Sequence, residues 1–170
     1  EVVQGDGNTI PLSTLMSMTE IWERLSPEAK AEIERSRLKA SVVLDVATRC
    51  VLGLLLVKDV SSASSVETLR MAVSDKREMA RSLNCRTPWD MMGTFETIIT
   101  DNGPEYANEW FQTAVLGLHA EASFPPAGVP QMRGHIERFF RTMHTDLFGR
   151  FSGRTFENVV RKGDYDAEGN

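Results

Sequence analysis

Two carboxylates constrain this chain more than any other feature. Asp101 closes the apolar run in TIITDNGPEYANEWF, and Glu137 lies inside PPAGVPQMRGHIERFFRTMH. Residues 102–136, thirty-five in all, separate them. The first acid ends a strand-like segment, and the second sits in a helix-like segment behind a Pro/Gly-rich loop. Acids delivered this way can share a hard divalent cation and give access to metal-assisted phosphate chemistry. Each acid alone has a plainer explanation. Asp-Asn-Gly after a strand is good turn chemistry. Arg133, Glu137, Arg141 and His144, spaced four, four and three apart, share one helix face, where Glu–Arg pairing is ordinary surface chemistry. The two segments at this separation favour the shared site.

The segments around them order into an α/β pattern. Val2 to Asp6 reads as a short strand, with residues 7–18 open. Ser26-Pro27-Glu28 is a helix start, with Ser as N-cap and Pro in the first turn, and the helix is expected to reach about Lys39. Ser41–Ala47 and Cys50–Lys58 read as two strands about a tight turn at Thr48-Arg49. Ser61 to about Leu83 reads as one helix, with Val66, Leu69, Val73 and Met79 near one face. Phe95–Thr100 is the next strand, Asn108–Leu118 a helix, Ala120–Phe124 a last strand and Met132–Phe148 a closing helix. Trp89 and Trp110 read as packing residues.

The net charge of -5 argues mildly against nucleic acid as partner. Its distribution does not, because Arg133–Arg154 holds five arginines against Glu137 and Asp146. Cys50 and Cys85 lack metal-ligand spacing, and His119, His135 and His144 form no zinc set with them. Val42–Val57 is interrupted by Asp45, Arg49 and Gly53 and is no membrane span. With no signal peptide or lipidation motif, a cytoplasmic protein is expected. The chain begins at Glu1, and a domain of a longer protein is expected.

The paired motifs, together with VVLDVATRCVLGLLLV, resemble the catalytic core of the DDE transposase and retroviral integrase superfamily. The likeness covers residues 41–148 well and 1–12 loosely. It implies a ribonuclease H-like α/β fold, a five-stranded mixed sheet flanked by helices. Residues 1–150 would be the core, with a helical insertion at about 13–40. Residues 151–170 would be a polar tail or linker toward a further C-terminal domain. The family needs a third acid on the first strand. Asp6 in VVQGDGNTIPL fits it, with Asp45 in VVLDVATR the competing position, which in the family is usually structural. The resemblance makes Asp6, Asp101 and Glu137 both catalytic residues and ligands of two Mg²⁺ (or Mn²⁺) ions. It points Arg133, Arg138 and Arg141 at DNA phosphates. It implies DNA hydrolysis and strand transfer on transposon ends and target, by a homo-oligomer on DNA, near the bacterial nucleoid. No small-molecule cofactor and no membrane are implied. A ribonuclease H-like nuclease that cuts without joining, and a catalytically silent assembly or dimerisation module, are the alternatives.

Overall fold

A computed structural model describes residues 1–11, 23–35, 37–126 and 130–147. Five strands, β1 (Val2–Pro11), β2 (Arg37–Asp45), β3 (Val51–Val57), β4 (Thr97–Ile99) and β5 (Glu121–Ser123), form one sheet in the order β3-β2-β1-β4-β5. Helix α1 (Pro27–Arg35) precedes β2. Helices α2 (Ser62–Val73) and α3 (Arg77–Ser82) lie between β3 and β4. Helices α4 (Pro104–Ala107) and α5 (Glu109–Gly117) lie between β4 and β5. A 3₁₀ turn, Pro130–Arg133, enters α6 (Gly134–Thr142), and a π turn follows at Met143–Leu147.

The chain divides into two compact units, Glu1–Asn8 with Lys39–Arg138, and Thr9–Leu38 with Phe139–Asn170. In the second, Ser26 caps α1 through its side chain on the Ala29 N–H (3.2 Å), and the Phe139 and Phe140 rings lie 5.6 Å apart. The proposed tail, residues 151–170, and the stretch 12–22 of the proposed insertion lie outside the described residues.

The first unit holds the principal core. Val3 of β1, Val43 of β2, Leu52 of β3 and Ile98 of β4 meet Leu69 and Ala72 of α2, and Phe111 and Val115 of α5. Each fully buried Phe, Leu or Ile contributes roughly 1.5–3 kcal/mol from its removal from water. The central strands pair in parallel, Val2 with Thr97, Val3 with Ile98 and Gln4 with Ile99, and β4 pairs in parallel with β5. Parallel neighbours need a crossover, which α2 and α3 supply for β1–β4 and α4 and α5 supply for β4–β5. Strand order therefore runs outward from β1 on both sides and reverses between β1 and β4.

Helix α2 packs differently from the expected apolar stripe. It buries Ser64, Ser65, Thr68, Leu69 and Ala72, a mostly small and hydroxylic face. The Thr68 hydroxyl sits 2.8 Å from both the Ser41 hydroxyl and the Ser64 carbonyl, so it is satisfied inside the core. Val66 and Val73 are partly buried at the margin. The expected single helix also breaks after Val73. Lys76, only 3% exposed, turns its ammonium back onto the carbonyls of Met71 (3.0 Å), which also accepts the Ser74 N–H, and of Ser74 (2.9 Å), so it closes the helix end.

Other boundaries shift for identifiable reasons. Helix α1 stops at Arg35 and β2 begins at Arg37, earlier than the expected Ser41. Lys39 and Ala40 pair with Val57 and Leu56, so the ladder with β3 overrides a locally helix-compatible sequence. Trp89 packs as expected, half-buried, with its indole N–H donating to the Val51 carbonyl (2.8 Å). Trp110 does not. It is 58% exposed, because α5 buries Phe111 and Val115, four apart, and the residue before Phe111 faces away from them. Among the described residues no helix is long and apolar enough to cross a membrane.

Candidate functional site

The register of the central strands brings two of the expected acids together. Continuing the pairing of residue n in β1 with residue n + 95 in β4 puts Asp6 level with Asp101, just beyond the end of β4. Asp101 follows the C-terminal end of β4, and Asp6, in the middle of β1, lies just past the last β1–β4 pair, Gln4 with Ile99. Both are at the reversal of strand order, where open α/β sheets hold their ligands. Backbone N–H groups fix each carboxylate. Asp6 Oδ1 accepts from Gly7 (2.8 Å), and Asp101 Oδ1 accepts from Gly103 (3.1 Å), an Asx turn that leads into α4. A Cβ at Gly103 would lie 2.9 Å from Asp101 Oδ1 and 2.8 Å from Glu105 Oε2, so glycine leaves both carboxylates room.

One cationic group stands between the two acids. The Arg133 guanidinium is ion-paired and hydrogen-bonded to Asp6 through Nη2, and its Nη1 is 3.7 Å from Asp101 Oδ2. Asp6 and Arg133 are largely buried, with side chains 16% and 20% exposed. The Asp6 carboxyl is nevertheless held above the ordinary aspartate range. Burial is the main cause; Arg133 and the Gly7 N–H oppose it, and Asp101 adds to the rise. Tyr106 is buried, and its phenol is pushed up by that burial and by the charges of Asp6, Asp101 and Glu105.

Glu137 is exposed on the first turn of α6, as are Arg138 and Arg141 further along that helix. Among the described residues no group of three metal-binding side chains is assembled. Asp6 and Asp101 offer hard oxygens, they already hold a positive group between them, and the buried Arg133 Nε has no acceptor. These two residues fit a cation. Arg133, expected on phosphate, is instead engaged by the acids.

Asp45, the competing first acid, is committed elsewhere. Its carboxylate accepts from the Thr48 N–H (2.9 Å), the Ala47 N–H (3.3 Å) and the Thr48 hydroxyl, closing the β2–β3 turn. Burial pushes its carboxyl up, but these bonds outweigh it and hold it below the ordinary range. A depressed carboxyl stabilises the fold above the ordinary aspartate value, and that contribution is lost as pH falls through the folded value. Asp45→Asn is therefore expected to cost about 1.5–3 kcal/mol at neutral pH, the range for hydrogen bonds to a charged acceptor. It should also lose part of the acid-induced destabilisation below about pH 4. Urea unfolding across this pH range checks both. An unchanged acid limb would contradict the assignment.

Gln4 was not anticipated as a site residue. It is 2% exposed in β1, two residues before Asp6, and its side chain bonds to Met132 and Ile136. The available signal was a polar residue inside an apolar central strand, on the strand face that Asp6 also uses.

Comparison with known proteins agrees with this architecture. The curated Tn552 transposase of Staphylococcus aureus is 27% identical over 127 residues, covering 74% of this chain and 24% of that transposase. The chain thus spans about a quarter of that relative's length. A chain of the simian T-cell lymphotropic virus intasome shares the fold, with TM-score 0.55 at 19% identity, covering 85% of this chain and 38% of that one. The catalytic domain of Mos1 mariner transposase does so with TM-score 0.51 at 15% identity, covering 94% of this chain and 64% of that one. The magnesium-bound HTLV-2 integrase catalytic core, in its dimeric form, gives TM-score 0.50 at 15% identity, covering 85% and 67%. The fold is the ribonuclease H-like fold of integrase and transposase cores. The sequence model of the TnsB C-terminal domain matches residues 35–153, more than half of the chain, and the chain belongs to that family, within the DDE transposase and integrase group.

Proposed function

We propose that this chain is the catalytic core of a bacterial DNA transposase, which cuts transposon ends and joins them to target DNA. The convergence of Asp6 and Asp101 on one cationic group, just past the last parallel pair of β1 and β4, carries the reading. Glu137, on the first turn of α6, is the third acid. Two Mg²⁺ (or Mn²⁺) ions held by Asp6, Asp101 and Glu137 would neutralise the charge that develops on the attacking and leaving oxygens of an in-line phosphoryl displacement.

The chain's own residues supply position and charge. Asp6 is fixed within β1 and Asp101 by the end of β4, each with a backbone N–H on its carboxylate, from Gly7 and Gly103, so little ordering is left to DNA binding. Arg133, once released from Asp6, turns toward a phosphate, and exposed Arg138 and Arg141 meet the DNA backbone. Water attack forms one P–O bond and breaks another, and the departing strand keeps a 3′-hydroxyl. That hydroxyl then attacks a target phosphodiester, forms the joint and releases a target 3′-hydroxyl. No covalent enzyme intermediate is involved. The transposase acts as a homo-oligomer on DNA in the bacterial cytoplasm, at the nucleoid, with end recognition supplied by other domains.

Full-length protein incubated with labelled DNA ends and a target plasmid tests this. Mg²⁺-dependent nicks bearing 3′-hydroxyls, followed by joined products, are expected, with neither in excess chelator. Cutting without joining would favour a nuclease. DNA binding with no cutting would favour an assembly module.

A further inference from the structure

Gln4 ties the start of α6 to β1 by a two-pronged contact. Its Nε2 donates to the Met132 carbonyl at 2.6 Å, and its Oε1 accepts from the Ile136 N–H at 2.9 Å. Only one orientation of the amide satisfies both partners, since one is an acceptor and the other a donor. Ile136 is the third residue of α6, and its N–H is one of those a helix start leaves unpaired. A helix ordinarily meets this need with a side chain just before its first turn. Arg133, which holds that place, has no acceptor. The cap therefore comes from a strand more than a hundred residues earlier. It is buried, with Gln4 at 2% exposure and Ile136 at 0%.

The contact joins the sequence neighbours of two of the acids. Gln4 is two residues before Asp6 on the same face of β1, and Ile136 immediately precedes Glu137. We propose that Gln4 is a positioning residue that sets the first turn of α6, and with it the Glu137 carboxylate, relative to Asp6 and Asp101. This rests on the reading of Glu137 as the third metal ligand. Glutamine is suited to the place where its neighbours in type are not. Glutamate would face the Met132 carbonyl with a second acceptor and add negative charge beside Asp6. Methionine would fill the volume and make neither bond.

A mutant cycle tests it, using Mn²⁺ affinity by calorimetry and hydrogen exchange at the Ile136 amide. Gln4→Met is expected to weaken Mn²⁺ binding by about tenfold, as loss of a group supporting a metal ligand does. Exchange at Ile136 should accelerate. In a Glu137→Gln background, Gln4→Met should change affinity by less than about twofold, because its effect passes through Glu137. Equal losses in both backgrounds, or faster exchange with unchanged affinity, would reduce Gln4 to a purely structural cap and overturn the proposal. Unchanged affinity in Glu137→Gln alone would remove the third ligand itself, a separate failure that also takes the proposal with it. Should Gln4→Met not fold, Gln4→Asn keeps the amide on a shorter stem that cannot span both partners. It should then show the same dependence on Glu137 with a smaller loss.

Discussion

Asp101→Asn is expected to weaken Mn²⁺ binding by more than about a hundredfold, while Arg133→Gln tightens it by about tenfold, a change of roughly 1.4 kcal/mol. The opposite signs follow from the geometry. Asparagine keeps the side chain's size and the acceptor for the Gly103 N–H, so the substitution removes charge and leaves the turn. The fold should survive while one of the two converging acids is lost. Arg133 has the reverse relation to a metal. Its guanidinium holds the place between Asp6 and Asp101 that a cation would take, and binding must displace it from a largely buried ion pair. Glutamine removes the competitor. It also leaves Asp6 buried without its main compensating charge, so the metal-free protein should lose about 1–3 kcal/mol of stability. Mn²⁺ should consequently raise the melting temperature more in Arg133→Gln than in the wild type. Weaker binding in Arg133→Gln would show that Arg133 assists metal binding. Unchanged binding in Asp101→Asn would put the ion elsewhere.

Gly53→Ala should destabilise the fold by about 2–3 kcal/mol, which reverses the usual sign for this replacement within a strand. An added methyl normally restricts the unfolded chain and helps by several tenths of a kcal/mol or more. Here a Cβ would lie 2.5 Å from the Thr68 carbonyl oxygen, 3.2 Å from Thr68 Cγ2 and 3.3 Å from the Ala72 nitrogen. Two of these are backbone atoms of α2, so no rotamer change relieves the contact and the helix must move off β3. The small buried face of α2 exists to permit this approach. Thr68→Ala should not rescue the variant, because the carbonyl remains. Denaturant midpoints for the two single variants and the double variant decide it. Stability equal to wild type in Gly53→Ala would mean α2 is free to shift.

The position of Asp101 after a strand could be read from the sequence because it ends an apolar run, and five strand segments in the right order follow from periodicity. Asp6 was picked out by the family resemblance alone, since Gln4 and Gly5 separate it from Val2 and Val3 and β1 runs on to Pro11. The packing of α2 could not be read in the same way. A search for large apolar residues at helical spacing ranks Val66 and Val73 above Ser65 and Thr68, yet Gly53 on another strand selects the small face. The break at Ser74 was hidden because Lys76 looks like a surface residue until its ammonium is seen satisfying helix-end carbonyls. The family resemblance points Arg133 at phosphate. Its partners, Asp6 and Asp101, come from β1 and from the turn after β4, and no local pattern records that meeting. Gln4 was missed for the same reason, since its bonds span 128 and 132 positions of sequence.

The β1–β4 pairing also sets when Asp6 and Asp101 can meet in a growing chain. Asp6 emerges from the ribosome before its partner, and the strand that aligns the two follows about ninety residues later, after the whole β2–α3 segment. Contacts of such long sequence separation form late, because closing the intervening loop must precede any gain from pairing. At synthesis rates of roughly 5–20 residues per second, a nascent chain spends several seconds with β1 exposed and its acid without Asp101. A chain interrupted anywhere before Thr97 therefore carries half of the acid pair and no parallel neighbour for β1. The order of the strands along the gene thus withholds the paired acids from incomplete copies of the protein, and they come together only once most of the domain has been made.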